Sequence, residues 1–200
     1  MLRISLFDDM SLCTEAEVER MVALVPEPRR SAALLFKHTF GQFASLKSYI
    51  MLASLLKETY GVEQFSMAVG EHGKPFLADH PNIHFNISHS RNAIAVAVSD
   101  RPVGIDVESL RTFSDALLDK TMNPMEKADI LSARSPQLAF AGYWTRKEAV
   151  FKLLGTGITD NLHGILTDKT RTDTTFNPER GYAASVAMYS EDFPDQLCWL

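Results

Sequence analysis

The chain has 200 residues, 46% of them hydrophobic and 22% charged, and carries a formal net charge of -5. This length and balance suit one globular domain or two closely packed halves, and they exclude a disordered or fibrous class. An acidic chain lacks the basic surface that general nucleic-acid binding requires, and no apolar run approaches the ~20 residues of a membrane-spanning helix. Cys13 and Cys198 belong to no CxxC pair or Cys/His cluster, which argues against a disulfide framework and a zinc site. The first residues, with Arg3, Asp8 and Asp9, do not form a signal peptide, so the expectation is a cytoplasmic protein.

Along the chain, Leu2 to Phe7 alternates as a short strand, and Thr14 followed by Glu17 predicts a capping box at the start of a helix that Pro26 stops. From Phe36 to Tyr60 there is no proline, apolar residues recur at helical spacing, and Gly61 stands as a C-terminal stop, so this is a long core helix. Strands are predicted at Phe65 to Val69, Ile83 to Ile87, Ala93 to Val98 and Val103 to Val107, with Gly70 to Pro75 as a loop. Helices follow at Met125 to Ala133 and Gln137 to Leu154, the second ended by Gly155 and Gly157; then a polar stretch runs through Arg180 to a closing strand, Tyr182 to Tyr189. Helices followed by strands, occurring twice, predict an α+β fold of two similar halves, residues 1–101 and 102–200, each with a long helix on a small antiparallel sheet.

Asp106 and Glu108 lie two apart in a predicted strand, which turns both carboxylates to one face while Val103, Ile105 and Val107 take the buried one. In the second long helix, Trp144, Glu148 and Lys152 recur at intervals of four and share a face. Taken singly, the acidic pair reads as an exposed strand end, and Glu148 with Lys152 as a surface ion pair worth only ~0.3 to 0.5 kcal/mol. Together, three carboxylates beside a pyrophosphate make the oxygen-rich setting that octahedral magnesium prefers, and a lysine can neutralise a leaving phosphate.

Gly104-Ile105-Asp106-Val107-Glu108 and Trp144-Thr145-Arg146-Lys147-Glu148-Ala149-Val150-Phe151-Lys152 resemble the two signature motifs of the surfactin-type 4'-phosphopantetheinyl transferases. Gly73-Lys74-Pro75 and Phe85-Asn86-Ile87-Ser88-His89-Ser90 resemble further motifs of that family, in the expected order, so the likeness runs from about residue 73 to 157. It implies transfer of the phosphopantetheine arm of coenzyme A to a serine of an acyl or peptidyl carrier protein, with release of 3',5'-ADP. By the same resemblance Asp106, Glu108 and Glu148 hold Mg2+, Lys152 stabilises or protonates the departing nucleotide, and Glu148 or a metal-associated water takes the serine proton. Lys74, Ser88 and His89 are implied contacts of coenzyme A. Many relatives carry an upstream arginine for its 3'-phosphate; around Gln42 to Lys47 there is none, leaving Lys47, Lys37, Arg29 or Arg30 as substitutes. Arg111 is a candidate for carrier docking, and by analogy with longer family members the protein is expected to be a monomer. A metal-dependent phosphohydrolase and a non-catalytic coenzyme A binding module are the competing readings.

Overall fold

A computed structural model describes residues 1–70, 72–157, 159 and 161–200. Strand β1 (Leu2–Phe7) leads through α1 (Glu15–Val22) and α2 (Arg29–Leu34) into the long helix α3 (Thr39–Tyr60). A small hairpin, β2 (Met67–Val69) with β3 (Pro75–Leu77), precedes β4 (His84–His89) and β5 (Ile94–Ser99). The second half opens on β6 (Gly104–Ser109), continues through α4 (Asp115–Thr121), α5 (Pro124–Ser132) and the long helix α6 (Pro136–Leu154), and closes with β7 (Thr170–Asn177) and β8 (Tyr182–Tyr189).

The fold is α+β with small antiparallel sheets, and its duplication is visible in the topology. The first sheet has the order β1-β5-β4 and the second β6-β8-β7. In both, the first strand in the chain pairs with the last, the last occupies the centre, and the long helix falls between the first strand and the next.

Alternation of side chains builds four layers. In β5, Ile94, Val96 and Val98 turn to α3 and pack with Phe43, Leu46, Leu52 and Leu56 in one cluster. Ala93, Ala95 and Ala97 turn the other way and meet Ile105, Val107, Ala184 and Val186 of the second sheet. Small alanines on one side and branched residues on the other let the two sheets lie face to face. Beyond the second sheet lies α6, whose Ala149, Val150 and Leu153 form a further cluster with Ala187. The order is therefore α3, sheet, sheet, α6. The C-terminal residues cross back to the first half: Trp199 bridges Ile4 in parallel, and Leu6 N–H donates to Leu200 O at 2.7 Å.

Some elements differ from the sequence expectation. The polar stretch before Arg180 contains β7, an edge strand of threonines whose register against β8 pairs Thr172 with Ala187 and Thr174 with Ser185. Its polar alternation reflects an edge position, so hydrophobic periodicity could not mark it. Helices α2 and α4 were too short to carry a periodic signal, and the Gly70 to Pro75 loop ends in β3. Only half of the expected capping box forms. Thr14 Oγ1 accepts from Glu17 N–H at 3.2 Å, but the Glu17 carboxylate turns to Arg20, at 2.6 and 2.7 Å.

Candidate active site

The site lies where α6 crosses β6, and the glycine of the first motif sets that crossing. A Cβ on Gly104 would stand 2.0 Å from the Ala149 carbonyl oxygen and 2.5 Å from Leu153 N. Only a residue without a side chain lets the helix backbone rest on the strand. Period two then turns Gly104, Asp106 and Glu108 to the helix, while Ile105 and Val107 enter the inter-sheet core. The facing turns of α6 supply Glu148 and Lys152.

Asp106 is 4% exposed. Its Oδ1 accepts from Lys152 Nζ at 2.7 Å and from Ser88 Oγ at 2.8 Å. Its Oδ2 is buried with no hydrogen-bond partner. Lys152 therefore pairs across to the strand, in place of the Glu148 to Lys152 pair along the helix that spacing alone would allow. Glu148 is pushed up to about 7, first by desolvation, then by the Asp106 charge and, less strongly, by Glu108, with Lys152 and Arg111 opposing. Desolvation also raises Glu108, with Asp106 adding to it, while the Arg111 and Lys152 charges favour its charged form. The Arg111 guanidinium lies 6.0 and 5.9 Å from the Phe140 and Trp144 ring centroids, beside these two carboxylates.

A cleft of about 310 Å³ opens beside this cluster, lined among others by Lys74, Asn86, Glu148, Lys152 and Gly155. It joins the halves, since Lys74 and Asn86 come from the first and Glu148 and Lys152 from the second. Lys74 Nζ donates to Val103 O at 3.2 Å and Leu153 O at 3.1 Å, so it binds a carbonyl at the C-terminal end of α6. Desolvation lowers its ammonium to about 8.

The structure thus brings together Asp106, Glu108, Glu148, Lys152 and Ser88, with Lys74 in the lining of the adjoining cleft. His89 ends β4, with its ring edge-on to Phe40 at 5.9 Å and its pKa lowered by desolvation and by Lys152. Arg29 and Lys47 are engaged elsewhere. Arg29 Nη2 donates to Ser45 O and Oγ, at 2.7 and 2.5 Å, which fastens α2 to α3. Lys47 Nζ lies 4.0 Å from the Phe7 ring centroid. Among the described residues no hydrogen bond or ion pair joins either to the Asp106 cluster.

Sequence reasoning missed two supports. Asn86 Oδ1 accepts from Ile105 N–H at 2.8 Å; its place two residues before Ser88 in a strand was the available signal. Lys147, fully buried, pairs with Glu126 at 2.7 Å and donates to Leu162 O at 2.5 Å. Nothing in a motif of mixed charge distinguishes a buried lysine from an exposed one.

Among the described residues no group of three His, Cys, Asp or Glu side chains forms a ready-made metal cage. The carboxylate set nonetheless fits a hard cation that also takes oxygens from another source. Asp106 presents an unpartnered buried oxygen, and its charge raises the cost of ionising Glu108 and Glu148 beside it.

The chain's sequence has counterparts among known proteins. A family model described as the 4'-phosphopantetheinyl transferase superfamily matches residues 102–196. A Bacillus pumilus protein, 4'-phosphopantetheinyl transferase psf-1, is 31% identical over 150 residues, covering 73% of this chain. The match spans 64% of that relative, less than two thirds of its length. The Bacillus subtilis 4'-phosphopantetheinyl transferase ffp is 25% identical over 203 residues, 92% of this chain and 91% of the relative. The Sfp protein of Bacillus subtilis strain 168, also named a 4'-phosphopantetheinyl transferase, is 26% identical over 149 residues, 72% of this chain and 66% of the relative. The chain belongs to the 4'-phosphopantetheinyl transferase superfamily.

Proposed function

We propose that this protein is a phosphopantetheinyl transferase that moves the 4'-phosphopantetheine arm of coenzyme A to a serine of an acyl or peptidyl carrier protein. The observation that carries the reading is the junction itself: Asp106, Glu148 and Lys152 meet beside a cleft that Lys74 of the first half also lines. In the reaction the serine oxygen forms a bond to the phosphorus bearing the pantetheine arm, and the bond from that phosphorus to the bridging oxygen breaks, releasing 3',5'-ADP. The serine proton goes to Glu148 or to a water. Burial and the Asp106 charge favour a proton on Glu148 in the metal-free protein, whereas a bound cation would oppose that and leave the water as the acceptor. Lys152, 30% exposed and already held against Asp106, neutralises charge on the departing phosphate.

Asp106, Glu108 and Glu148 would hold Mg2+, which when bound supplies charge neutralisation for the pyrophosphate. His89 at the end of β4 and Lys74 supply further donors to the coenzyme A phosphates. Lys47 and Arg29, bound as described above, would reach the 3'-phosphate only by giving up those partners. Because residues 1–101 and 102–200 each supply a wall of the cleft, a single chain completes the site, and a monomer in the cytoplasm is the expected form.

Mass spectrometry of an apo carrier incubated with this protein, coenzyme A and Mg2+ tests the proposal. The expected result is a gain equal to the phosphopantetheine arm that requires metal and is abolished in Glu148→Gln. Hydrolysis of coenzyme A with no gain on any carrier would show a phosphohydrolase instead.

A further inference from the structure

Resting on that reading of the site, we infer that Ser88 is a positioning residue that fixes Asp106 and Lys152, and is not itself a contact of the coenzyme A phosphates. A hydroxyl has one proton to donate and two lone pairs. In Ser88 all three are used: Oγ donates to Asp106 Oδ1 at 2.8 Å, and accepts from Lys152 Nζ at 2.9 Å and from Val107 N–H at 3.2 Å. With both lone pairs given to N–H donors, the proton has to go to the carboxylate, and no capacity is left for a ligand.

The surrounding geometry explains what this arrangement achieves. β6 is the edge strand of its sheet, so alternate N–H groups find no neighbouring strand. Those of Ile105 and Val107 donate to the side chains of Asn86 and Ser88 on β4, at 2.8 and 3.2 Å. Two side chains two residues apart match two N–H groups two residues apart, which fixes the register of β6 against the other half. Asp106 lies between those two anchored positions. Lys152, Ser88 and Asp106 Oδ1 then close a triangle with sides of 2.7, 2.8 and 2.9 Å. With Oδ1 held by two donors, the carboxylate cannot rotate freely, and Oδ2 is the oxygen left without a partner. Ser88 thereby selects which carboxylate oxygen remains available and holds the lysine beside it. Asn86 provides the internal comparison, because it makes the same kind of bond to β6 and has none to Asp106.

The experiment compares wild type, Ser88→Ala and Asn86→Ala by two binding measurements that need no carrier. One is Mn2+ binding, followed by loss of the free-ion electron paramagnetic resonance signal; the other is coenzyme A binding by calorimetry in the presence of EDTA. The expected result is Mn2+ affinity about 10- to 100-fold weaker in Ser88→Ala, the range for loss of a residue that orients a metal ligand, with metal-free coenzyme A affinity unchanged. Asn86→Ala is expected to lower the melting temperature without that loss. Weaker coenzyme A binding with intact Mn2+ affinity would overturn the inference, since Ser88 would then be a phosphate contact. Equal loss of Mn2+ affinity in both variants would also overturn it, reducing Ser88 to a support of β6. A wild type that binds Mn2+ but modifies no carrier would refute the transferase reading, while the comparison of variants still decides the role of Ser88.

Discussion

At the scale of single residues, the site depends on positions whose roles spacing only partly discloses. Gly104→Ala would force a Cβ against the backbone of α6, with 2.0 Å to Ala149 O, and backbone cannot yield as a flexible side chain does. The expected cost is about 3 kcal/mol or more, visible as a lowered urea midpoint or failure to fold. Lys74 yields a prediction in pH. Desolvation lowers its folded pKa to about 8, whereas an unfolded lysine titrates near ~10.4. Between these values the unfolded chain binds more protons, so this group's contribution raises stability as pH climbs through the window and opposes folding below it. Urea midpoints of wild type and Lys74→Met at pH 8 and pH 10 should differ in this slope, wild type gaining more. A slope shared by both proteins would show that the ammonium is not desolvated.

At the scale of elements, α5 is held to α6 through charge. Lys147 has no exposed side-chain surface and Glu126 7%, and they meet at 2.7 Å. Glu126 also accepts from Asn123 N–H and so completes the capping box that starts α5. Removing one partner leaves a charge buried without compensation, so Lys147→Met and Glu126→Leu should each cost about 3 to 5 kcal/mol, whereas the double variant Lys147→Met/Glu126→Leu should recover much of that. Denaturant unfolding of the four proteins in this cycle checks it, and simple additivity would show that the pair is not coupled. The lesson for reading sequence is that Lys147 stands beside Glu148 in one motif yet does unrelated work. Helical spacing put Trp144, Glu148 and Lys152 on a common face, but which neighbouring turn is buried depends on what packs over it. Here that is α5 and the Leu162 carbonyl.

At the scale of the molecule, the halves are joined by an inter-sheet apolar layer and by side chains that bond to backbone across it. Besides Asn86 and Ser88, Asn92 Nδ2 donates to Arg180 O at 2.6 Å and Gly181 O at 3.1 Å. Neither half can keep its alanine and valine face from water alone. Unfolding followed by far-ultraviolet and near-ultraviolet circular dichroism should therefore show coincident transitions, and residues 1–101 expressed separately should lack a cooperative one. Two separate transitions in the intact chain would contradict this coupling.

The sequence by itself determined much of the architecture and the acidic motif. Both long helices, most strands, and the turning of Asp106 and Glu108 away from Ile105 and Val107 follow from period 3.6, period 2 and glycine stops, all of which are local. The tertiary structure alone decided that β7 is an edge strand, that Lys152 pairs with Asp106 and not with Glu148, that Ser88 spends its whole hydrogen-bonding capacity inside the protein, and that Arg29 and Lys47 are engaged away from the cleft. The reason is physical: periodicity reports which face of an element is buried, whereas hydrogen-bond partners and charge pairs are set by elements distant in sequence. Ser88 and Lys152, 64 residues apart, acquire their roles only once β4, β6 and α6 meet.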